Sequence, residues 1–228
     1  MLLLGAGPVG LELAGEVQAA WPGKQVTVVD PADDSLSGSY SDEFRAELRA
    51  QLDALGVELV LGMSLVDEPP SDPGESKTFT VRTTSGDEVT ADVWFRCYGV
   101  VPVSDFLVGD LAGARRSSGH VEVDARLRLP GRENVFAVGD VTAIPETKTA
   151  KAAGLHAEVV AANIAASVRG DGEPRAYEPA PPSISLPLGP RGGASYAPDQ
   201  GVLGAAVTSQ LKGSHLRLEA YATLLGVA

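Results

Sequence analysis

Residues 2–4 are three leucines, and they run straight into Gly5-Ala6-Gly7-Pro8-Val9-Gly10. A short apolar run closed by glycine predicts a buried strand, and the helix-forming stretch to about Ala20 predicts a helix directly after the glycines. A second apolar run, residues 25–29, predicts another strand and ends in Asp30. Phe44, Leu48, Leu52 and Leu55 recur at helical spacing, which predicts a helix over 42–54 capped by Ser41 or Asp42. Gly56 ends that helix, and 57–61 predicts a third strand. Residues 67–77 carry three prolines and predict a polar loop. Residues 78–84 and 88–91 alternate around Ser85-Gly86-Asp87 and predict a hairpin. Residues 93–98 predict a fourth core strand ending at Gly99, and 135–138 a later one ending in Gly139-Asp140. A Pro- and Gly-rich link over 170–182 precedes a strand at 184–188 and a mostly apolar end containing Val207, Leu211, Leu216, Leu218, Leu224 and Leu225.

The opening order is strand, Gly5-x-Gly7-x-x-Gly10, helix, strand, acid, with Asp30 lying 20 residues past Gly10. That layout is the dinucleotide-binding fingerprint. Gly5 permits the tight turn, Gly7 lets backbone approach a pyrophosphate, and Gly10 lets helix pack closely on strand. Pro8 and Val9 complete the turn that faces the nucleotide. The helix start offers unpaired N–H groups and partial positive charge to the phosphates. Asp30 can accept hydrogen bonds from both ribose hydroxyls. It repels a 2′-phosphate, and no Arg follows within five residues, so NADH is expected over NADPH. Glu12 and Glu16 share one helix face. Either Glu12 complements the helix dipole in the first turn, or it faces the nicotinamide side of the cleft.

Composition narrows the function classes. The chain has 228 residues, 18 basic and 30 acidic, for a net charge of −12. This argues against a nucleic-acid binder, which needs clustered Lys and Arg. The single cysteine, Cys97, excludes an intrachain disulfide, a CxxC redox pair and a Cys-rich zinc site; no metal is expected. It reads as a buried, inert thiol. No apolar run reaches 18 residues, so no membrane span is expected. The start, Met-Leu-Leu-Leu-Gly, has no basic n-region and does not resemble a signal peptide, so a cytoplasmic location is expected.

The order of the nucleotide fingerprint, the acid, Gly99 and Val135-Phe136-Ala137-Val138-Gly139-Asp140 resembles the FAD-dependent pyridine-nucleotide oxidoreductases. Lys148-Thr149-Ala150 with Lys151 to Ala157, Ala162-Asn163-Ile164, Leu188 to Gly193, Gly201 to Gly204 and Leu211-Lys212-Gly213 narrow the resemblance. They are similar to the apoptosis-inducing-factor-2-like, or ferroptosis-suppressor-like, NAD(P)H:quinone reductases. The resemblance implies an α/β fold: a Rossmann-like NAD-binding lobe at 1–99 inserted in a partial FAD-binding domain at 100–172, with a small cap at 173–228. It implies FAD and NADH as cofactors and a quinone or other small electron acceptor. It places Gly139 and Asp140 on the flavin, Lys148, Thr149 and Ala150 at a helix start against its ring, and Gly99 at the nucleotide pocket. Glu12 and Lys212 are the candidate catalytic residues, with Lys212 either near the ring and quinone or a solvated surface lysine. His156 is either structural or a proton donor. The apolar end either packs on the flavin domain or makes weak peripheral membrane contact.

Two departures matter. Arg96-Cys97-Tyr98 replaces the usual small residues before Gly99. Members of the resembling family also carry an N-terminal FAD-binding half with its own glycine fingerprint, and none precedes Gly5 here. The chain is therefore expected to hold FAD poorly by itself. Two rival readings remain: a nucleotide-binding fragment without turnover, and a ferredoxin- or rubredoxin-reductase-like protein. The net charge disfavours the second, because such a docking face should be basic.

Overall fold

The computed structural model describes residues 1–36 and 40–227. The chain divides into two compact units, one of Met1–Tyr98 with Ser183–Ala228, the other of Gly99–Pro182.

The first unit is built on a parallel sheet. Strands β1 (Leu2–Leu4), β2 (Val26–Asp30) and β3 (Val57–Leu61) alternate with helices α1 (Pro8–Ala20) and α2 (Asp42–Ala54). A hairpin, β4 (Phe79–Arg82) and β5 (Glu88–Ala91), precedes β6 (Trp94–Arg96). The sheet order is β3-β2-β1-β6, with Leu3 paired to Val28 on one side and to Phe95 on the other. Both faces are covered, as a parallel sheet requires. Leu3 and Val28 pack with Leu11, Val17, Phe44 and Leu48 on the helical side. Leu2, Leu4 and Val29 pack with Phe79, Val81 and Trp94 on the hairpin side. Ser41 caps α2, its Oγ accepting from the Phe44 N–H at 3.2 Å.

The second unit carries short 3₁₀ turns at Gly109–Ala114 and Gly139–Val141 and one long helix, α3 (Ala150–Arg169). Thr149 caps its start and left-handed Gly170 ends it. The strand expected over 135–138 is not formed. Phe136 makes one isolated antiparallel bridge with Arg128, and that bridge does not continue as a ladder. A strand needs a continuous partner. The partner here is itself bent, by the turn in which Asp124 accepts the backbone N–H groups of Arg126 and Arg128.

After the link, β7 (Ile184–Leu188), β8 (Gly192–Ala197) and β9 (Gly201–Leu203) form an antiparallel sheet, followed by α4 (Ala205–Thr208) and α5 (Leu218–Leu225). The sequence reading made 173–228 a separate cap, its apolar end packing on the flavin part or touching a membrane. The structure groups 183–228 with the first unit. The reason is packing: Leu186, Leu188 and Ala194 complete the same buried cluster as α1 and α2. Gln51 on α2 clamps Gly193 from both ends, donating to its carbonyl at 3.0 Å and accepting its N–H at 2.6 Å.

Candidate functional site

In the first unit, the turn from β1 into α1 is shaped by contacts only glycine can make. Gly5 has φ +115°, and a Cβ there would lie 3.0 Å from the Cys97 carbonyl carbon. At Gly10 a Cβ would come within 1.9 Å of the Gly5 oxygen, so no side chain fits. Gly7 differs: among the described residues, nothing lies within 4 Å of its would-be Cβ. It caps α1 with extended backbone and makes no side-chain capping bond. Pro8 sits at the first helical position, and Val9 is 64% exposed. Among the described residues the start of α1 is therefore open above Gly7, with its dipole aimed outward. Such an end stabilises an anion by about 0.3–1 kcal/mol, more where partly buried.

Asp30, at the end of β2, is tied into this turn. Its Oδ2 accepts the Ala6 N–H at 2.6 Å and its Oδ1 accepts the Ala32 N–H at 2.8 Å. A carboxylate has about four acceptor sites, so about two remain for hydroxyl donors. The sequence reading had assigned Asp30 to the ribose alone; the structure adds that it anchors the glycine turn to β2. The nearest arginines are engaged elsewhere. Arg49 pairs with Asp34 at 3.1 Å, and Arg45 lies against Asp34 and donates to the Leu36 and Tyr40 carbonyls.

Glu12 and Lys212, 200 residues apart in sequence, meet at 2.6 Å. Both side chains are 29% exposed. No acidic residue lies in the first turn of α1, so the dipole-complement reading of Glu12 fails: the helix begins at Pro8 and Glu12 falls one turn later. Lys212 is not a solvated lysine either. It rides on a π-helical turn, Ser209–Gly213, that follows α4. π-turns are rare and cluster at functional sites. This one is pinned from below: a Cβ on Gly213 would lie 3.1 Å from the Gly189 oxygen, and the Ser209 hydroxyl donates to the Pro190 carbonyl at 2.7 Å.

Cys97 and Tyr98 line the back of the glycine turn. Burial pushes the Cys97 thiol up, which suits an inert packing residue. The Tyr98 ring is half-exposed, with the Arg96 guanidinium 5.9 Å from its centroid and 5.6 Å from that of Trp94. Sequence reasoning flagged these bulky residues but gave them no role.

In the second unit, Gly139 has φ +76° and opens the 3₁₀ turn that carries the exposed Asp140 carboxylate. The Thr142 hydroxyl closes the turn by donating to the Gly139 carbonyl at 2.9 Å. Lys148 is not a free cation. Its Nζ donates to the Thr142 and Ile144 carbonyls, both at 2.8 Å. Burial pulls its pKa down, against the charges of Glu146 and Asp140. Thr149 Oγ accepts the Ala152 N–H at 3.1 Å, and Ala150 is the first helical residue. Gly99, at φ +61°, begins this unit. A left-handed glycine, an exposed carboxylate and a nearby helix start fit the polar chain of a flavin nucleotide.

Beneath that turn lies a buried cluster. His156 is 1% exposed; its Nδ1 accepts the Gly139 N–H at 2.9 Å, and its Nε2 lies 2.8 Å from Glu146 Oε1. The Tyr177 hydroxyl donates to Glu146 Oε2 at 2.6 Å, and the two rings meet edge-on at 4.3 Å. Burial, then the bond to Glu146, pushes the Tyr177 phenol up to about 12. Glu146 and Tyr177 carry no sequence signal, because the contacts span 10 and 31 residues, the longer one reaching past the whole of α3. Among the described residues, no group of three His, Cys, Asp or Glu could hold a metal, and no helix is long and apolar enough to cross a membrane.

Comparison with known proteins gives the family. The family profile of pyridine nucleotide-disulphide oxidoreductases matches residues 1–157. The chain is 30% identical over 190 residues to ferroptosis suppressor protein 1 of Taeniopygia guttata, covering 83% of this chain and 51% of that protein. It is 30% identical over 230 residues to an FAD-dependent oxidoreductase of Flammulina velutipes, covering 100% of this chain and 70% of that one. A crystal structure of an FAD-dependent pyridine nucleotide-disulphide oxidoreductase from Desulfovibrio vulgaris superposes with a TM-score of 0.65 at 26% identity, over 85% of this chain and 47% of that chain. The chain thus spans about half the length of the ferroptosis-suppressor relative and of that solved structure. With the glycine turn, its acid and the later Gly-Asp turn all inside the matched region, the chain belongs to the FAD-dependent pyridine nucleotide-disulphide oxidoreductase family.

Proposed function

We propose that this chain is the nucleotide-binding and partial flavin-binding portion of an NADH-dependent flavoenzyme that reduces a quinone-type acceptor. The observation that carries the reading is the open start of α1 above Gly7, closed behind by Gly5 and Gly10 and anchored by Asp30. The glycine turn accepts the pyrophosphate, and the free acceptor sites of Asp30 take the ribose hydroxyls. Preference for NADH rests on charge: Asp30 faces any 2′-phosphate, while Arg45 and Arg49 are spent on Asp34 and on carbonyls. Gly139, Asp140, Thr149 and Ala150 would hold FAD, with Lys148 fixing the loop between them. When bound, FAD supplies the two-electron store between nucleotide and acceptor. Lys212, held by Glu12, presents a cation that favours a reduced, anionic acceptor oxygen. The exposed Leu218, Leu224 and Leu225 of α5 support weak contact with a lipid surface where apolar quinones dissolve.

Calorimetric titration of the chain with each nucleotide tests the core of this reading. NADH binds saturably and NADPH at least tenfold more weakly. Equal affinities refute the preference, and absence of saturable binding by either refutes the site. NADH-dependent reduction of a soluble quinone by the FAD-supplied chain tests the acceptor; reduction of ferricyanide but of no quinone refutes that assignment. Liposome flotation tests the lipid contact, and no co-migration refutes it.

A further inference from the structure

The buried cluster under the Gly-Asp turn has a defined proton arrangement. The Gly139 N–H points at His156 Nδ1, so that nitrogen is the acceptor and carries no proton. The ring proton of a neutral imidazole must then sit on Nε2, which faces Glu146 Oε1. The other Glu146 oxygen takes the Tyr177 hydroxyl, and its side chain is 8% exposed. Each member therefore fixes the next: Tyr177 orients Glu146, Glu146 selects the Nε2–H tautomer, and that tautomer leaves Nδ1 bare for one backbone amide. The amide belongs to the one left-handed residue of the turn that carries Asp140.

We infer that His156 is a positioning residue: held by Glu146 and Tyr177 as its Nε2–H tautomer, it fixes the Gly139 amide and so sets the direction in which Asp140 faces a bound flavin. The last step rests on the assignment of Asp140 to FAD made above. His156 itself is enclosed, with its ring held by protein groups. It transfers no proton, because both ring nitrogens are committed to protein groups. Its action is geometric. A bare imidazole nitrogen accepting a backbone N–H leaves the Gly139 carbonyl for Thr142 and the Asp140 carboxylate for solvent or ligand.

Two substitutions separate the two ring nitrogens. Asparagine places an amide oxygen near the position of Nδ1, and glutamine places its amide near Nε2. His156→Asn therefore keeps an acceptor for Gly139 and drops the link to Glu146. His156→Gln does the reverse. Both are neutral and polar, and asparagine leaves the larger cavity, so a general loss of packing would speed exchange more in His156→Asn, the opposite of the order expected. The readouts use the 228-residue chain. Nitrogen-15 spectra of the parent show His156 with Nδ1 unprotonated and Nε2 protonated. Hydrogen exchange at the Gly139 amide stays slow in His156→Asn and speeds by about fivefold in His156→Gln, the loss of one hydrogen bond. Titration with FAD shifts the Asp140 amide signal in the parent and in His156→Asn, and shifts it less in His156→Gln. A protonated Nδ1 in the parent overturns the inference, and decides it alone should both variants fail to fold. Equal exchange at Gly139 in the two variants also overturns it. If FAD perturbs no signal near Asp140 while the Nδ1–Gly139 bond is intact, the flavin assignment falls and the hold on the turn stands.

Discussion

Gly15 sits on the face of α1 that meets β7, and replacing it with alanine tests how the terminal sheet is seated. A Cβ there would lie 2.4 Å from Leu188 Cα, 2.7 Å from Leu188 C and 2.8 Å from Gly189 N. All three are backbone atoms, so no side chain can turn away. Ordinary contact begins at 3.4 Å, so helix and strand must part by 3.4 − 2.4 = 1.0 Å. Overpacking of this kind costs about 1–3 kcal/mol, against which alanine recovers up to about 1 kcal/mol of helix propensity. The net expectation is a loss of about 1–2 kcal/mol. For a protein of this size that lowers the thermal midpoint by about 2–8 °C. The displacement also reaches the ion pair. Gly189 backs both Gly15 and the π-turn carrying Lys212, so a 1.0 Å retreat stretches the 2.6 Å contact with Glu12. Urea unfolding followed by tryptophan fluorescence measures the loss. The control is Gly154→Ala in α3, where nothing lies within 4 Å of the added carbon and stability should rise slightly. If Gly15→Ala is as stable as the parent, β7 does not press on α1 and the packing argument is wrong.

Ser41→Ala removes the cap on α2 and should cost about 1 kcal/mol in urea unfolding, since the Phe44 amide loses its acceptor. Lys212→Met should leave NADH affinity within twofold, because the glycine turn and Asp30 are untouched, and should slow quinone reduction; a matching fall in NADH affinity contradicts the division of labour. Asp124 should make the second unit acid-sensitive. Burial pushes its carboxyl up, but the N–H groups of Arg128 and Arg126 and the Arg128 guanidinium outweigh that and set the pKa below the ordinary 3.8. A depressed carboxyl contributes stability above the unfolded value and loses it as pH falls through the folded one. Stability of the parent should therefore drop below about pH 4, while Asp124→Asn is weaker near neutrality and flatter in acid, as circular dichroism against pH would record.

The glycine turn, its strands and its acid are legible in sequence because every part is local: each role needs a residue type within 30 positions of Met1. The capped helices follow for the same reason, as Ser41 and Thr149 lie three residues from the amides they take. What escaped reading depends on distance along the chain. Nothing near Glu12 announces Lys212, and nothing near His156 announces Tyr177. The strand over 135–138 misled for a related cause: its residues have the right pattern, but a strand exists only with a partner. The home of residues 183–228 could not be inferred either, because Leu186 and Leu188 suit any apolar surface. It is Gly15, a bare patch on α1, that makes one surface close enough.

The seating of the terminal sheet has a consequence for how the chain is made. Gln51 waits 142 residues for Gly193, and Glu12 waits 200 for Lys212. A ribosome delivers about 5–20 residues per second. The unit containing Glu12 therefore cannot close until residues 183–213 have emerged, some ten seconds or more after α1. Meanwhile Leu11, Ala14 and Val17 stand without Leu186 and Leu188. Residues 99–182, begun later, are complete earlier. Contacts of such long range slow folding. The nascent chain thus passes through a stage in which the nucleotide lobe is half-lined and adhesive, and a stalled or truncated product ending near Pro182 would be the form most inclined to aggregate.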